Sequence, residues 1–160
     1  MDLRIHGLKE RRQEMSVNAG QRKIADTSAN RQLYALSAVS QLVDHTLNIC
    51  SNEKIFDPKF NEVLMNDVLR TVKDIYIHCI DANNIYVKNI KDFEFRNDLQ
   101  KSAIRECKRL LALISLCRRL YHLRNKKVTY WSEMTIKTRN YLNKWHESDA
   151  QRYKKQLNIK

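Results

Sequence analysis

Residues 103–121 read AIRECKRLLALISLCRRLY, and this stretch carries the clearest structural signal in the chain. Its apolar residues recur at steps of three and four, which places them on one face of an α-helix. The stripe comprises Ile104, Cys107, Leu111, Ile114, Cys117 and Tyr121, with Leu110, Leu113, Leu116 and Leu120 beside it. A face this wide belongs in the core of a helical bundle. It also exceeds what one core seam needs, so we expect a homo-oligomer.

Three other segments show the same helical period. The first helix is expected after the capping residues 26–28, with an apolar face formed by Leu33, Leu36, Ser40, Val43, Leu47 and Cys50. The second opens at Asp57 and Pro58, which suit an N-cap and a first helical turn, and it continues to about Val87. The last runs from about Val128 to Leu157 and carries Trp131, Met134, Thr138, Leu142 and Trp145 on its apolar face.

The connections between these predicted helices are short: Ser51–Phe56, Lys88–Lys91 with Asp92 as the next cap, and Leu123–Lys127. Short connections make consecutive helices antiparallel neighbours. Two Gly and one Pro in 160 residues argue against a fold built from hairpins. The predicted fold is therefore all-α, an up-and-down antiparallel four-helix bundle over residues 28–160. A basic flexible arm is expected over residues 1–27.

The positive charge of the chain is concentrated in its C-terminal part. Residues 1–100 contain 14 Lys and Arg against 14 Asp and Glu, whereas residues 101–160 contain 16 against 4. The whole net charge of +12 therefore comes from the last 60 residues. Such an excess favours a polyanionic partner, with nucleic acid ahead of a membrane surface.

Arginine dominates the basic residues of helix three and of the turn that follows it. The candidate nucleic-acid-binding residues are Arg105, Arg109, Arg118, Arg119, Arg124, Lys126 and Lys127. A planar guanidinium suits bidentate contact with phosphate, and the helical spacing would track an extended backbone. The alternative is a solvated face that pairs with Asp67, Asp74, Asp81 or Asp98 on neighbouring helices.

Arg139 and His146 form a second candidate site on the last helix. Their spacing of seven residues, about two turns, puts them on one face. The pattern resembles the motif of HEPN-type ribonucleases, in which histidine would move protons and arginine would stabilise the charge on phosphorus without a metal. Because an Arg with a His seven residues later is common by chance, catalysis is the less favoured interpretation.

The remaining chemical candidates are weaker. Tyr130 and Tyr141 could stack on bases, whereas Trp131 and Trp145 are expected in the core. The four cysteines form no Cys-x-x-Cys pair and are expected to be small buried hydrophobes in a reducing compartment. His6, His45 and His78 lack metal-ligand spacing, so we expect neither a metal nor a cofactor.

The chain contains no apolar run close to the ~20 residues of a membrane span. Its first residues, MDLRIHGLKERRQEM, lack the apolar segment of a secretory signal. We therefore expect a cytoplasmic protein with no membrane association.

Residues 103–111 and the pattern of residues 127–131, Arg139-Asn140 and Trp145 resemble the four-helix-bundle family that includes the accessory variability proteins of diversity-generating retroelements and the related ribosomal-insertion bundle proteins. The likeness extends over residues 28–157. It implies a homo-oligomer, typically a pentameric barrel, with a strongly basic surface. It also implies association with a retroelement reverse transcriptase and its RNA template, and no enzymatic activity. The chain departs from the family in its arm and after Trp145.

These observations favour a non-enzymatic accessory protein that binds RNA or an RNA–DNA hybrid beside a reverse transcriptase and supports cDNA synthesis in diversity-generating retrohoming. The contacts would be made mostly to phosphates, with little reading of sequence. Two alternatives remain open at this point: a HEPN-type metal-independent ribonuclease, and an oligomeric scaffold for an acidic protein.

Overall fold

A computed structural model describes residues 29–159, which form long helices and contain no strand. The four helices are α1 (29–50), α2 (Asn66–Asn84), α3 (Ile90–Tyr121) and α4 (Asn125–Gln156). The predicted all-α class with four helices is thereby confirmed for the described part of the chain. The predicted arm over residues 1–27 and the capping residues 26–28 lie outside the described residues.

Two short helical turns precede α2: one is tighter than an α-helix and the next is wider. Asp57 caps the first of them, because its Oδ1 accepts a hydrogen bond of 3.0 Å from the backbone N–H of Lys59. The 3-10 turn Pro58–Phe60 and the π-helical turn Asn61–Met65 follow before the regular helix begins. The predicted start at Asp57 and Pro58 is therefore confirmed. The predicted end at Val87 is three residues too late, since the backbone is already extended at Ile85.

Helix α3 is capped by Asn89. The predicted cap, Asp92, lies instead in the first turn of the helix. The Oδ1 of Asn89 accepts a 3.0 Å hydrogen bond from the backbone N–H of Asp92. Asp92 in turn accepts one of 3.0 Å from the backbone N–H of Lys88. These two bonds satisfy one N–H group in the first turn of α3 and one just before its cap, an arrangement close to a capping box.

Helix α4 begins at Asn125, three residues before the predicted start at Val128. Lys126 and Lys127 therefore lie in the first helical turn and not in the preceding loop. His122 ends α3 in the left-handed region, at φ 52°, and this reversal makes so short a connection possible.

One apolar core is shared by all four helices. Its members include Leu42 of α1, Ile75 of α2, Leu110 and Ile114 of α3, and Leu142 of α4. The expectation that both tryptophans belong to the core is confirmed, since Trp131 and Trp145 are fully buried. The indole Nε1–H of Trp131 donates a 3.0 Å hydrogen bond to Thr46 Oγ1 and so joins α4 to α1.

The predicted core face of α1 is correct in part. The buried residues of this helix are Ala35, Ala38, Val39, Leu42 and Thr46. Leu36, Val43 and Cys50 of the predicted stripe are half-buried and pack against this core. Leu33 and Leu47 are 61% and 51% exposed, and Ser40 is exposed as well, so the centre of the buried face is rotated away from the predicted stripe.

Contacts of α1 show how the helices lie relative to one another. Thr138 donates to the carbonyl of Ala38, Trp131 contacts Thr46, and a hydrogen bond joins Gln32 of α1 to Asn83 at the end of α2. The later of the two α1 residues, Thr46, therefore contacts the earlier of the two α4 residues, Trp131. Helix α3 contacts both α2 and α4.

A buried polar cluster joins the end of α2 to α3 and α4. The Nε of Arg96 donates to Asp149 Oδ2 at 2.7 Å, and the amide of Gln100 donates to the same oxygen at 2.7 Å. The Nη1 of Arg96 donates to the carbonyl oxygens of Ala82 and Ile85 at 2.8 and 3.2 Å. One guanidinium therefore satisfies carbonyl groups that α2 leaves open at its C-terminus.

None of the helices within residues 29–159 has the combination of length and apolar content that crossing a membrane requires.

Candidate functional site

The turn between α3 and α4 gathers five of the seven predicted cations at one end of the molecule. These five, which we call the end cations, are Arg118, Arg119, Arg124, Lys126 and Lys127, and all of them are exposed. The first two lie in the last turn of α3, the third precedes α4, and the two lysines belong to its first turn. The short connection through His122 is what brings them together.

Sequence reasoning missed Lys54, which the loop between α1 and α2 carries to the same end. A cavity of about 350 Å³ lies there, lined by Lys54, Ile55, Tyr121, His122, Leu123, Arg124 and Lys127. Lys54 lies in a loop that also carries Glu53 and Asp57, and Tyr121, Arg124 and Lys127, which line the cavity with it, are about seventy positions away. No local pattern could have assigned it to the site.

The start of α4 adds to the positive potential of this end. Arg124 occupies the N-cap position without a capping hydrogen bond, and the first turn of α4 contains no acidic residue. The N–H groups of a first helical turn carry partial positive charge and attract anions. A helix that begins with lysines where acidic residues are usual is electrostatically unfavourable in isolation, and a bound polyanion would relieve it.

The end cations have no acidic partners in the part of the chain that the structure describes. Among residues 29–159, none of the five forms an ion pair with a carboxylate. The alternative of pairing with Asp67, Asp74, Asp81 or Asp98 is not found in this part of the chain. Asp67 pairs instead with Arg70 of its own helix, at 3.6 Å.

Arg105 and Arg109 lie apart from the end cations. Arg105 precedes Arg119 by fourteen residues, which is about 21 Å along a helix. Arg109 contacts the Glu106 carboxylate at 3.2 Å, and Arg105 donates to Ser102 Oγ at 3.1 Å. The seven predicted residues are therefore divided between one cluster of five and two cations farther along α3, one of them paired.

Arg139 and His146 both lie half-buried toward α3. The Nε2–H of His146 donates to Asn97 Oδ1 at 2.6 Å. Burial, and then the charge of Lys101, lower the pKa of His146 from its ordinary value, against the opposite effect of Glu147 and Asp149. This histidine is therefore largely neutral at pH 7, and one of its ring nitrogens is already engaged within the protein.

The cysteine thiols have low chemical reactivity. Cys79, Cys107 and Cys117 are buried as predicted and Cys50 is half-buried; all four are free thiols. Burial raises the pKa of each thiol to about 12. A thiol that stays protonated is a poor nucleophile and a poor metal ligand. Within residues 29–159, no three His, Cys, Asp or Glu side chains lie close enough together to hold a metal ion.

Comparison of the chain with protein-family models, with curated proteins and with solved structures gives no match.

Proposed function

We propose that this protein is a non-enzymatic nucleic-acid-binding protein, and that it binds RNA or an RNA–DNA hybrid through the end cations. The single observation that supports this most is the gathering of Arg118, Arg119, Arg124, Lys126 and Lys127 at one end without any carboxylate partner in the described chain. A surface with equal numbers of positive and negative charges would not bring cations together in this way. Clustered cations without acidic partners repel one another, and this repulsion is relieved when phosphates bind.

The geometry favours an extended phosphate backbone over a single small anion. The end cations are exposed on both sides of the α3–α4 turn, and Lys54 extends the surface to a third segment of the chain. Contacts of this kind fix position and supply affinity but carry little sequence information. Arg105 and Arg109 would extend the same track along α3.

The association with a reverse transcriptase and its template RNA is the finer part of the proposal. It rests on the resemblance of residues 103–111 and 127–131 to the accessory proteins of diversity-generating retroelements. The up-and-down antiparallel arrangement and the homo-oligomer belong to the same proposal. The reversed numbering of the α1–α4 contacts supports the first, and the exposed leucines of α1 support the second. A reverse transcriptase gene beside the coding sequence would support the association, and a neighbourhood without one would count against it.

A salt titration of RNA binding tests the role of the end cations. Binding to phosphates releases counterions, so log K falls with log salt by roughly 0.7 to 0.9 for each phosphate contacted. Replacing Arg118, Arg119 and Arg124 together by Gln should flatten this slope by about two to three units and weaken all sequences alike. Thermal melting should change little, because solvated cations contribute little to the fold.

The matched control is a triple variant that removes the same charge elsewhere. Lys73, Lys88 and Lys91 are exposed residues outside the end cluster, and their joint replacement by Gln lowers the net charge equally. If both triple variants flatten the slope equally, only net charge matters and the assignment to this end is wrong. An unchanged slope in the arginine variant would shift the choice to an acidic protein partner.

A further inference from the structure

A groove between α1 and α4 is lined by two tyrosine rings, one exposed and one half-buried, with two exposed lysines beside them. The rings of Tyr34 and Tyr141 lie with centroids 5.9 Å apart, tilted by 35°. The side chain of Tyr34 is 53% exposed, although Tyr34 is an aromatic residue on a helix that contributes other side chains to the core. The ammonium groups of Lys137 and Lys144 lie 5.9 and 6.0 Å from the centroid of the Tyr141 ring.

Small and polar residues form the floor of this groove. It encloses about 180 Å³ between Tyr34, Ser37, Ala38, Gln41, Met134, Lys137, Thr138 and Tyr141. A volume this small lies below the roughly 300 Å³ at which ordinary small-molecule sites begin, so it suits one flat ring better than a whole nucleotide. The Gln41 amide donates to Ser37 Oγ at 3.2 Å, which places further hydrogen-bonding groups beside the rings.

A second aromatic contact lies nearer the end cations on the same two helices. Tyr130 of α4 meets His45 of α1 edge to face, at 4.9 Å between centroids. These two residues line a cavity of about 350 Å³ together with Ile49, Lys126 and Lys127. Tyr130 precedes Tyr141 by eleven residues, about 16 Å along α4. The α1–α4 groove and the end cations are thus connected by lysine and tyrosine side chains along one side of α4.

We propose that the α1–α4 groove stacks the bases of a single-stranded nucleic acid whose phosphates are held by the end cations and by Lys137 and Lys144. This inference rests on the proposed function and specifies the form of its ligand. Aromatic rings interleaved with cations are what non-specific single-strand binding uses, since every base has a face that can stack. In a duplex those faces are covered by neighbouring base pairs, so the tyrosines would have nothing to contact.

The test compares two strands of equal length and charge: oligouridylate, and an abasic oligonucleotide that has phosphates without bases. The variant Tyr34→Leu with Tyr141→Leu removes both rings and keeps apolar bulk. It should bind oligouridylate about tenfold more weakly or worse, and the abasic strand almost unchanged. The variant Tyr34→Phe with Tyr141→Phe keeps the rings and should bind both strands like the unmodified protein.

Tyr86→Leu is the matched control, since Tyr86 is also exposed and has the Lys88 ammonium 5.8 Å from its ring centroid, but lies between α2 and α3. It should change neither affinity. Equal affinity of the leucine variant and the unmodified protein for oligouridylate overturns the stacking proposal and leaves phosphate binding intact. Equal losses on both strands overturn it too. An unmodified protein that binds neither strand at low salt overturns the stacking proposal, and one that also fails to bind an RNA–DNA hybrid overturns the proposed function.

Discussion

Arg96 and Asp149 form an ion pair of 2.7 Å in the interior of the molecule, with side chains only 5% and 4% exposed. Charged groups of this kind are rarely buried, and they are tolerated when their remaining hydrogen-bonding positions are filled. Here Gln100 and the carbonyls of α2 fill them, and the rings of Trp145 and Tyr153 lie 5.2 and 5.8 Å from the guanidinium carbon. The pair therefore connects three helices at the end of the molecule opposite the end cations.

Replacing Arg96 by Met should destabilise the protein by roughly 3–5 kcal/mol, because it leaves the buried Asp149 carboxylate without its charged partner. Urea denaturation followed by circular dichroism measures the change. Joint replacement of Arg96 by Met and Asp149 by Leu should cost less than Arg96→Met alone, since no buried charge remains.

The comparison for this prediction is the exposed pair of Arg70 and Asp67, whose side chains are 66% and 54% exposed. Arg70→Ala should change the free energy of unfolding by no more than about 1 kcal/mol. If Arg96→Met were as mild as Arg70→Ala, the buried cluster would not be contributing to stability.

Protonation of His146 should destabilise the fold in mild acid. Burial and Lys101 lower the pKa of His146 in the folded state, and burial and Lys127 do the same for His45. The unfolded chain then binds more protons below the ordinary histidine pKa of about 6.5, so stability falls as pH falls through that value and below. Melting temperatures at about pH 7.5, 6.5 and 5.5 should decline in that order.

His146→Gln should make this decline shallower, because glutamine keeps a donor for Asn97 but does not titrate. Aspartate and glutamate contribute little in this range, since their ordinary pKa values lie near 4. A variant whose melting temperature follows pH as steeply as that of the unmodified protein would show that His146 is not responsible.

No metal-independent ribonuclease activity is expected from Arg139 and His146. A general acid–base histidine must reach its substrate, whereas Nε2 of His146 is held by Asn97 and the side chain is half-buried. Purified protein incubated with RNA and EDTA should leave the RNA intact. Cleavage that persists in EDTA and disappears in His146→Ala, with the helical content retained, would establish the ribonuclease and replace the function proposed above.

Assembly should depend on α1 more than on α3. The leucines beside the main stripe of α3 are largely used within the molecule, since Leu110 is buried and Leu113 and Leu120 pack against the core. Only Leu116 among them is exposed, at 48%. Leu33 and Leu47 of α1 lie fourteen residues apart, close to four full turns, and so share an exposed face.

Light scattering at micromolar concentration should therefore give a mass above that of one chain. Leu33→Glu with Leu47→Glu should lower it toward the monomer, because each change would place a charge in an apolar contact. Tyr86→Glu serves as the control at another exposed aromatic position and should leave the mass unchanged. A monomeric unmodified protein would contradict the proposed homo-oligomer.

The number of helices follows from local sequence, whereas several of their ends lie about three residues from the predicted positions. Asp57 and Pro58 open a helix by their own chemistry, and the scarcity of glycine and proline leaves few places for the chain to turn. The two tryptophans could also be assigned to the core, since their helical spacing matches the apolar face of α4. The clustering of Arg118, Arg119 and Arg124 was also predictable, because only one short turn separates the two arginines at the end of α3 from Arg124.

The tertiary structure alone decided which residues of α1 are fully buried. Leu33, Leu36, Val43 and Leu47 repeat as regularly as Ala35, Val39, Leu42 and Thr46. Periodicity therefore cannot predict that the second set is buried, that Leu36 and Val43 pack at its edge, and that Leu33 and Leu47 stay exposed. The choice depends on how closely α4 approaches: Ala38 and Thr138 are small enough for their backbone and side chain to touch across the two helices. Larger residues at those positions would have held the helices farther apart.

Long-range partners account for the other features that the sequence did not reveal. Local sequence alone would place Arg96 on the surface. It is buried because Asp149, fifty-three positions later, supplies a carboxylate partner. Lys54 and the pair of Tyr34 and Tyr141 likewise acquire their roles from residues on other helices. Local chemistry therefore determined where this chain forms helices, whereas the packing of distant side chains determined which charges are buried and which cations and rings share a surface.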